Sequence, residues 1–181
     1  MGTLKFKKVT KSVEDSPFEC GVESINEYVR NSYYPLLLQH AYTFSIMREE
    51  TILGYYQVLF RDIELDKFPE EISEYSSCVK NDKISAIHIR YIAVDKKYQR
   101  HSIGTNVLKV IIEKCRKLSE EWPIRVITID AIDNLINWYS SIGFKKMQKN
   151  TGCQDGVTTA MYFDCMKYSK ELKEYNEASL L

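Results

Sequence analysis

Apolar positions recur along this chain in two rhythms. Ile103, Val107, Ile111, Cys115 and Leu118 follow one another at spacings of 4, 4, 4 and 3, while Lys109, Glu113, Arg116 and Lys117 fall off the stripe. That period predicts an amphipathic helix over 103–118. Phe18, Val22, Ile25 and Val29 keep the same period at 4, 3 and 4 until Pro35 interrupts it, because proline cannot continue a helix interior. Leu36-Leu37-Leu38 reads as a second short helical piece. Elsewhere the rhythm belongs to strands. Leu4, Phe6 and Val13 among lysines give a strand in the first 13 residues. The β-branched and aromatic runs 41–47 and 52–60 flank the charged turn Arg48-Glu49-Glu50 and read as a hairpin. The segments 84–94 and 124–129 read as strands on either side of the long helix. A short helix over 134–141 stops at Gly143, and 144–147 and 158–166 close the chain as strands. The polar stretch 62–83, with Pro69, reads as a long connection and the best candidate for a mobile loop. The end, 165–181, alternates Lys with Glu and reads as a helical tail.

The predicted order is β-α-β-β-β-α-β-α-β-β. A strand–helix–strand unit at the centre implies parallel pairing, and the hairpins beside it imply antiparallel pairing. The fold class is therefore α/β, a three-layer protein with a mixed central sheet flanked by helices. With 181 residues, one domain spanning 1–181 is the expectation.

Composition removes several alternatives. Apolar residues make up 44% and charged residues 28%, with 7 Gly and 4 Pro, so the chain has enough apolar surface to bury a core. Lys plus Arg equals 25 and Asp plus Glu equals 25. A protein that coats polyanions normally carries a basic excess. The lysines at 5, 7, 8 and 11 and at 145, 146 and 149 read as solvated faces or as a basic rim for RNA. Five cysteines, at 20, 78, 115, 153 and 165, form no Cys-x-x-Cys pair, and the 3 histidines are dispersed, so neither a disulfide framework nor a zinc site is expected. Cys115 and Cys165 read as core residues. The N-terminal residues lack an apolar signal core and no apolar run approaches membrane-spanning length, which gives the expectation of a cytoplasmic protein with no membrane contact.

One junction carries chemistry. A strand ends at Ile92-Ala93-Val94, a polar loop follows, and the long helix begins at Gln99-Arg100-His101-Ser102-Ile103-Gly104-Thr105. The first N–H groups of a helix have no internal partner, and together with the helix dipole they form an anion site. Gly104 allows close approach to the backbone, and Arg100 adds a charge-assisted contact. A pyrophosphate suits this arrangement.

The same stretch resembles motif A of the GNAT N-acetyltransferase superfamily, in which an apolar strand ending in Ala-Val is followed by Gln/Arg-x-x-Gly-x-Gly/Ala. Ser102 stands at the first glycine position; its Cβ narrows the approach, while its hydroxyl can donate to phosphate. A second stretch, Asp130 to Phe144, resembles motif B of that superfamily through Trp138, Tyr139, Gly143 and Phe144. The two motifs occur in the family's order and at its distance. The resemblance covers about residues 40–165. More loosely, 18–28 is similar to the opening of a GNAT branch that includes toxins acetylating aminoacyl-tRNA.

The resemblance implies the GNAT (acyl-CoA N-acyltransferase) fold and transfer of an acetyl group from acetyl-CoA to an amine. It implies that Ile92, Ala93 and Val94 meet the pantetheine amides and supply an oxyanion donor, that N–H groups from Arg100 through His101, Ser102, Ile103 and Gly104 to Thr105 hold the pyrophosphate, with Gln99 in the same motif, and that Tyr139 is the general acid for the thiolate. Asn134 or Asp133 contacts pantetheine or caps the short helix. His88 and Arg90, two residues apart on a strand, are placed on one face, with His88 as candidate base. Three readings stay open: an enzyme acting on a small molecule, peptide or protein amine; a toxin acetylating the α-amine of charged tRNA, paired with an antitoxin; and a non-catalytic acyl-CoA-binding module. The acceptor groove is expected from 18–40 and 62–83, and a homodimer through an edge strand or the tail is possible in each.

Overall fold

The computed structural model describes residues 3–69, 72, 82–148 and 158–165. Its elements are β1 (Leu4–Lys8), α1 (Glu23–Arg30), α2 (Tyr33–Leu37), β2 (Tyr42–Arg48), β3 (Thr51–Glu64), β4 (Lys83–Val94), α3 (Ile103–Glu121), β5 (Val126–Ile132), α4 (Ile136–Ile142), β6 (Lys145–Lys146) and β7 (Thr158–Asp164). The strands form one 7-stranded sheet in the order β1-β2-β3-β4-β5-β7-β6. β4 and β5 are parallel, joined by α3, and the other pairs are antiparallel. This is the expected mixed α/β sheet flanked by helices.

The sheet separates two apolar layers. On one face Ile87 and Ile89 of β4 and Ile127 and Ile129 of β5 pack against the apolar stripe of α3, including Val107, Ile111 and Cys115, and against Tyr139 of α4. On the other, Ala86 and Val126 pack under Phe68 and Leu65, while Tyr91 and Ala93 pack under Val29 of α1 and Phe18.

Several boundaries differ from the sequence expectation. β1 is five residues long rather than filling the first 13; only Val9 extends the pairing, donating its N–H to Thr43 O at 2.9 Å. α1 starts at Glu23 although the apolar period starts at Phe18, because Gly21 turns the chain at φ 94°; Phe18 still reaches the core, edge-on to Tyr55. Pro35 lies inside α2 instead of ahead of it, in the first turn where no intrahelical N–H is needed. The expected connection over 62–83 begins later, since β3 runs to Glu64 and a 3-10 turn follows at Leu65–Lys67. The predicted tail lies outside the described residues, apart from Cys165. The two lysine groups do not make one rim: Lys5, Lys7 and Lys8 are on β1, and Lys145 and Lys146 on β6, at opposite edges of the sheet.

The feature that opens the site is a break in β4. Tyr91 pairs with Gln57 and Ile89 with Val58, leaving Arg90 as a surplus residue. A bulge bends its strand and breaks alternation. Ile87 and Ile89 face α3, and after the bulge Ile92 and Val94 do so. β4 stays paired with β5 only from Ala86 to Ile89, opposite Val126 to Ile129. Beyond that point the two strands part, and residues 91–94 have β3 as their only strand partner among the described residues.

Candidate active site

The fork between β4 and β5 continues into a cleft of about 590 Å³, bounded by the end of β4, the loop into α3, the turn before α4, and α1. Ile92, Ala93, Val94, Gln99, Arg100, Ser102, Ile103, Gly104, Thr105, Asn134 and Tyr139 line it. The structure thus brings together the predicted residues with two exceptions, His101 and His88.

The loop is built to present its backbone. Asp95 accepts from the N–H of Lys97 at 3.0 Å and starts a tight turn over Lys96–Tyr98. Gln99 borders the cleft while its amide nitrogen donates to Val94 O at 3.0 Å and to Cys20 O at 2.8 Å, tying loop, strand end and N-terminal segment together. His101 folds back so that its Nδ1 sits 2.6 Å from Gln99 O, and it is not among the residues lining the cleft. Arg100 and Ser102 both take left-handed backbone, at φ 62° and 57°, a conformation that costs a non-glycine residue about 1–2 kcal/mol. The motif glycine expected at Ser102 is explained by this conformation. Ser102 makes no capping bond with its hydroxyl.

Asn106 donates the first intrahelical N–H, to Ser102 O at 3.0 Å. The N–H groups of Ile103, Gly104 and Thr105 precede it and have no helical partner. A Cβ on Gly104 would meet only the Trp138 ring, at 3.6 Å. Nothing in the protein requires glycine there; its effect is to leave backbone open to the cleft. These features fit a pyrophosphate.

Two aromatics form the opposite wall. Trp138 Nε1 donates to Thr105 Oγ1 at 3.2 Å, fixing α4 against the first turn of α3. Tyr139 lies against Trp138 with ring centroids 4.5 Å apart, and edge-on to Phe144. Its ring is buried, and burial pushes the phenol above its ordinary range, so it stays protonated at neutral pH. α4 ends at Gly143, φ 110°, the left-handed residue that stops a helix. Neither Asp133 nor Asn134 caps α4, whose N-cap position is Leu135; the capping alternative for Asn134 is not realised, and Asn134 faces the cleft.

His88 is elsewhere. Arg90 is the surplus residue of the bulge, and its charge still acts on His88. His88 is 7% exposed, its Nδ1 lies 3.0 Å from Thr128 Oγ1, and burial, helped by Arg61 and Arg90, lowers its pKa to about 4. Arg90 also lies over the ring of Tyr28, 4.7 Å from its centroid. Sequence reasoning also missed Cys20, Val22 and Ile25, which bring the N-terminal segment into the cleft wall; only their place within 18–40 hinted at this.

A family model described as "Acetyltransferase (GNAT) domain" matches residues 70–163, slightly more than half of the chain. This chain belongs to the GNAT acetyltransferases. The GNAT region includes both resembling motifs and the whole fork. Solved GNAT-like structures extend the similarity over nearly the full length: a bacterial toxin at 15% identity, covering 92% of this chain and 93% of that one with a TM-score of 0.74; AtaT complexed with acetyl-methionyl-tRNAfMet at 16% identity, covering 90% and 95%, TM-score 0.74; and a tyrosine-to-phenylalanine mutant of KacT at 14% identity, covering 95% and 98%, TM-score 0.73. No curated protein matches the sequence significantly. Among the described residues no helix is long and apolar enough to cross a membrane.

Proposed function

We propose that this GNAT acetyltransferase moves the acetyl group of acetyl-CoA onto the α-amine of an aminoacyl-tRNA, in the manner of a toxin held in check by an antitoxin in the cytoplasm. The observation that carries the acetyl-transfer reading is the fork itself: an unpaired edge of β4, the open N-terminus of α3 and Tyr139 all border one cleft. The acceptor assignment is supported by likeness to AtaT, solved with acetyl-methionyl-tRNAfMet and with its antitoxin AtaR and acetyl-CoA.

In this reading the N–H groups of Ile103, Gly104 and Thr105, with Arg100 and the Ser102 hydroxyl, hold the pyrophosphate. The freed backbone of 92–94 aligns the pantetheine amides and donates to the carbonyl oxygen as negative charge develops there. Acetyl-CoA supplies the activated acyl group. The neutral amine forms the C–N bond as the C–S bond breaks, and Tyr139 gives its proton to the sulfur. Such a proton transfer contributes about 10²–10⁴-fold. A phenol weakened as an acid by burial remains fully protonated until the thiolate appears beside it.

The test has two parts. Acetyl-CoA or CoA at 100 times its dissociation constant adds about 2.7 kcal/mol, roughly 5–11 °C in melting temperature for a chain of this size, whereas ATP adds none. Total charged tRNA incubated with labelled acetyl-CoA and the protein becomes labelled at the amino acid, and expression arrests growth unless Tyr139 is phenylalanine. Binding without labelling of charged tRNA and without growth arrest overturns the acceptor assignment; absence of binding overturns the transferase reading.

A further inference from the structure

We infer that Asp130 is the seat of the acceptor's amine, receiving a primary ammonium from the face of the sheet opposite α3. The inference rests on the acetyl-transfer reading above and adds the group that meets the second substrate.

Asp130 directly follows Ile129, the last β5 residue paired with β4, so it stands where the two strands begin to part. Side chains alternate along a strand. Ile129 and Ala131 pack into the α3-side layer with Tyr139, and Asp130 projects from the other face. Tyr139 and Asp130 thus flank the fork from opposite sides. Ile132, two residues further on and roughly 7 Å along the strand, lines the cleft.

On that face Asp130 ends a polar row that crosses three strands. Arg61 comes from β3, His88 from β4, and Thr128 from β5. The Asp130 carboxylate is 3.8 Å from Arg61 and 3.9 Å from His88 Nε2, both beyond hydrogen-bond reach. It accepts no hydrogen bond from the described residues. Beside it is a cavity of about 30 Å³, whose lining includes Arg61, Asp62, Lys67 and Thr128, enough for one water or one ammonium group. Its side chain keeps 27% exposure. Lys67 is engaged by Glu64 at 3.2 Å and Asp62 by Ser85 at 3.0 Å, whereas the Asp130 carboxylate holds only the two long contacts to Arg61 and His88. Burial raises its pKa while Arg61 opposes the rise, so the group is a better proton acceptor than an ordinary aspartate.

The step balances. The ammonium gives one proton to Asp130 and becomes the neutral nucleophile. Its lone pair forms the C–N bond, the C–S electron pair leaves on sulfur, and sulfur takes the Tyr139 proton. The nitrogen's second proton returns to the Tyr139 oxygen through solvent, and Asp130 releases its proton to water.

The test uses the full chain with Asp130→Asn and Asp130→Glu. Acetyl-CoA affinity is measured by calorimetry, and CoA release is followed with charged total tRNA and with methioninamide, lysine methyl ester and spermidine as probes. The Asn variant is expected to bind acetyl-CoA as the wild type does, to lose about a hundredfold in kcat/KM for the acceptor, and to lose the acidic limb of the pH profile, with part of the rate and the limb restored by Glu. An Asn variant with unchanged acceptor kcat/KM or an intact acidic limb overturns the assignment, as does one that loses acetyl-CoA binding to the same extent as activity. A wild type that fails to bind acetyl-CoA overturns the transferase reading instead, a result read before any variant is compared.

Discussion

Gly54 faces Val94 across the β3–β4 pair with no room for a side chain. A Cβ there would overlap the carbonyl oxygen of Ala93 and stand 3.0 Å from Cα of Val94. The obstacle is backbone, which cannot rotate aside. Gly54→Ala is expected to push β4 off β3 at the segment bordering the cleft, lowering stability by about 2–3 kcal/mol and weakening acetyl-CoA binding with it. Thermal melts with and without acetyl-CoA measure both.

Gly104 behaves in the opposite way. Its added methyl meets only the Trp138 ring at an ordinary distance, and alanine is favoured over glycine in a helix by roughly 0.5–1 kcal/mol. Gly104→Ala is expected to hold or raise the melting temperature while reducing acetyl-CoA affinity, because the methyl fills space the ligand uses. Calorimetry on a protein that melts no lower than the wild type separates the two effects.

Tyr139→Phe removes a hydroxyl for which the protein supplies no partner among the described residues. Folding stability should change by no more than about 0.5 kcal/mol, and acetyl-CoA affinity should stay the same, while kcat falls about a hundredfold or more. Steady-state kinetics beside a thermal melt checks this; an equal loss of stability would make the tyrosine a core residue and nothing else.

His88 sets a pH dependence of folding. Its pKa is about 4 in the folded protein against about 6.5 unfolded. Between those values the unfolded chain takes up a proton that the folded one refuses. Stability is therefore complete above about pH 6.5 and declines as pH falls toward 4, by about 3 kcal/mol over the whole span. His88→Gln removes this titration, so its melting temperature should fall less between pH 6.5 and 4 than that of the wild type.

The sequence carried the strand–helix–strand centre because α3 has an uninterrupted apolar stripe, and Gly143 marked the end of α4 because only a left-handed residue stops it there. The cleft residues were legible through two motifs that are each local in sequence. The bulge at Arg90 was not. β4 is buried on both faces, so its apolar residues form a nearly continuous run in which a skipped beat leaves little trace. Phe18 misplaced the start of α1 because packing into the core and belonging to a helix give the same periodic signal. Asp130 was invisible for a different reason. Its partners Arg61 and His88 lie on two other strands, and a carboxylate in a sequence does not announce which of its neighbours will be water.

The surplus residue in β4 makes the site depend on a count as well as on chemistry. Ile87 to Val94 is one position longer than the β3 segment opposite, and that excess is where the parallel pair comes apart. Replacing Arg90 with another residue changes a side chain and preserves the length. Removing it brings the strand back into step, restores one regular alternation, and lets β4 run on beside β5. The shortened chain should still make a sheet, but a seamless one. For this protein a three-nucleotide deletion at codon 90 is a heavier lesion than most missense changes there.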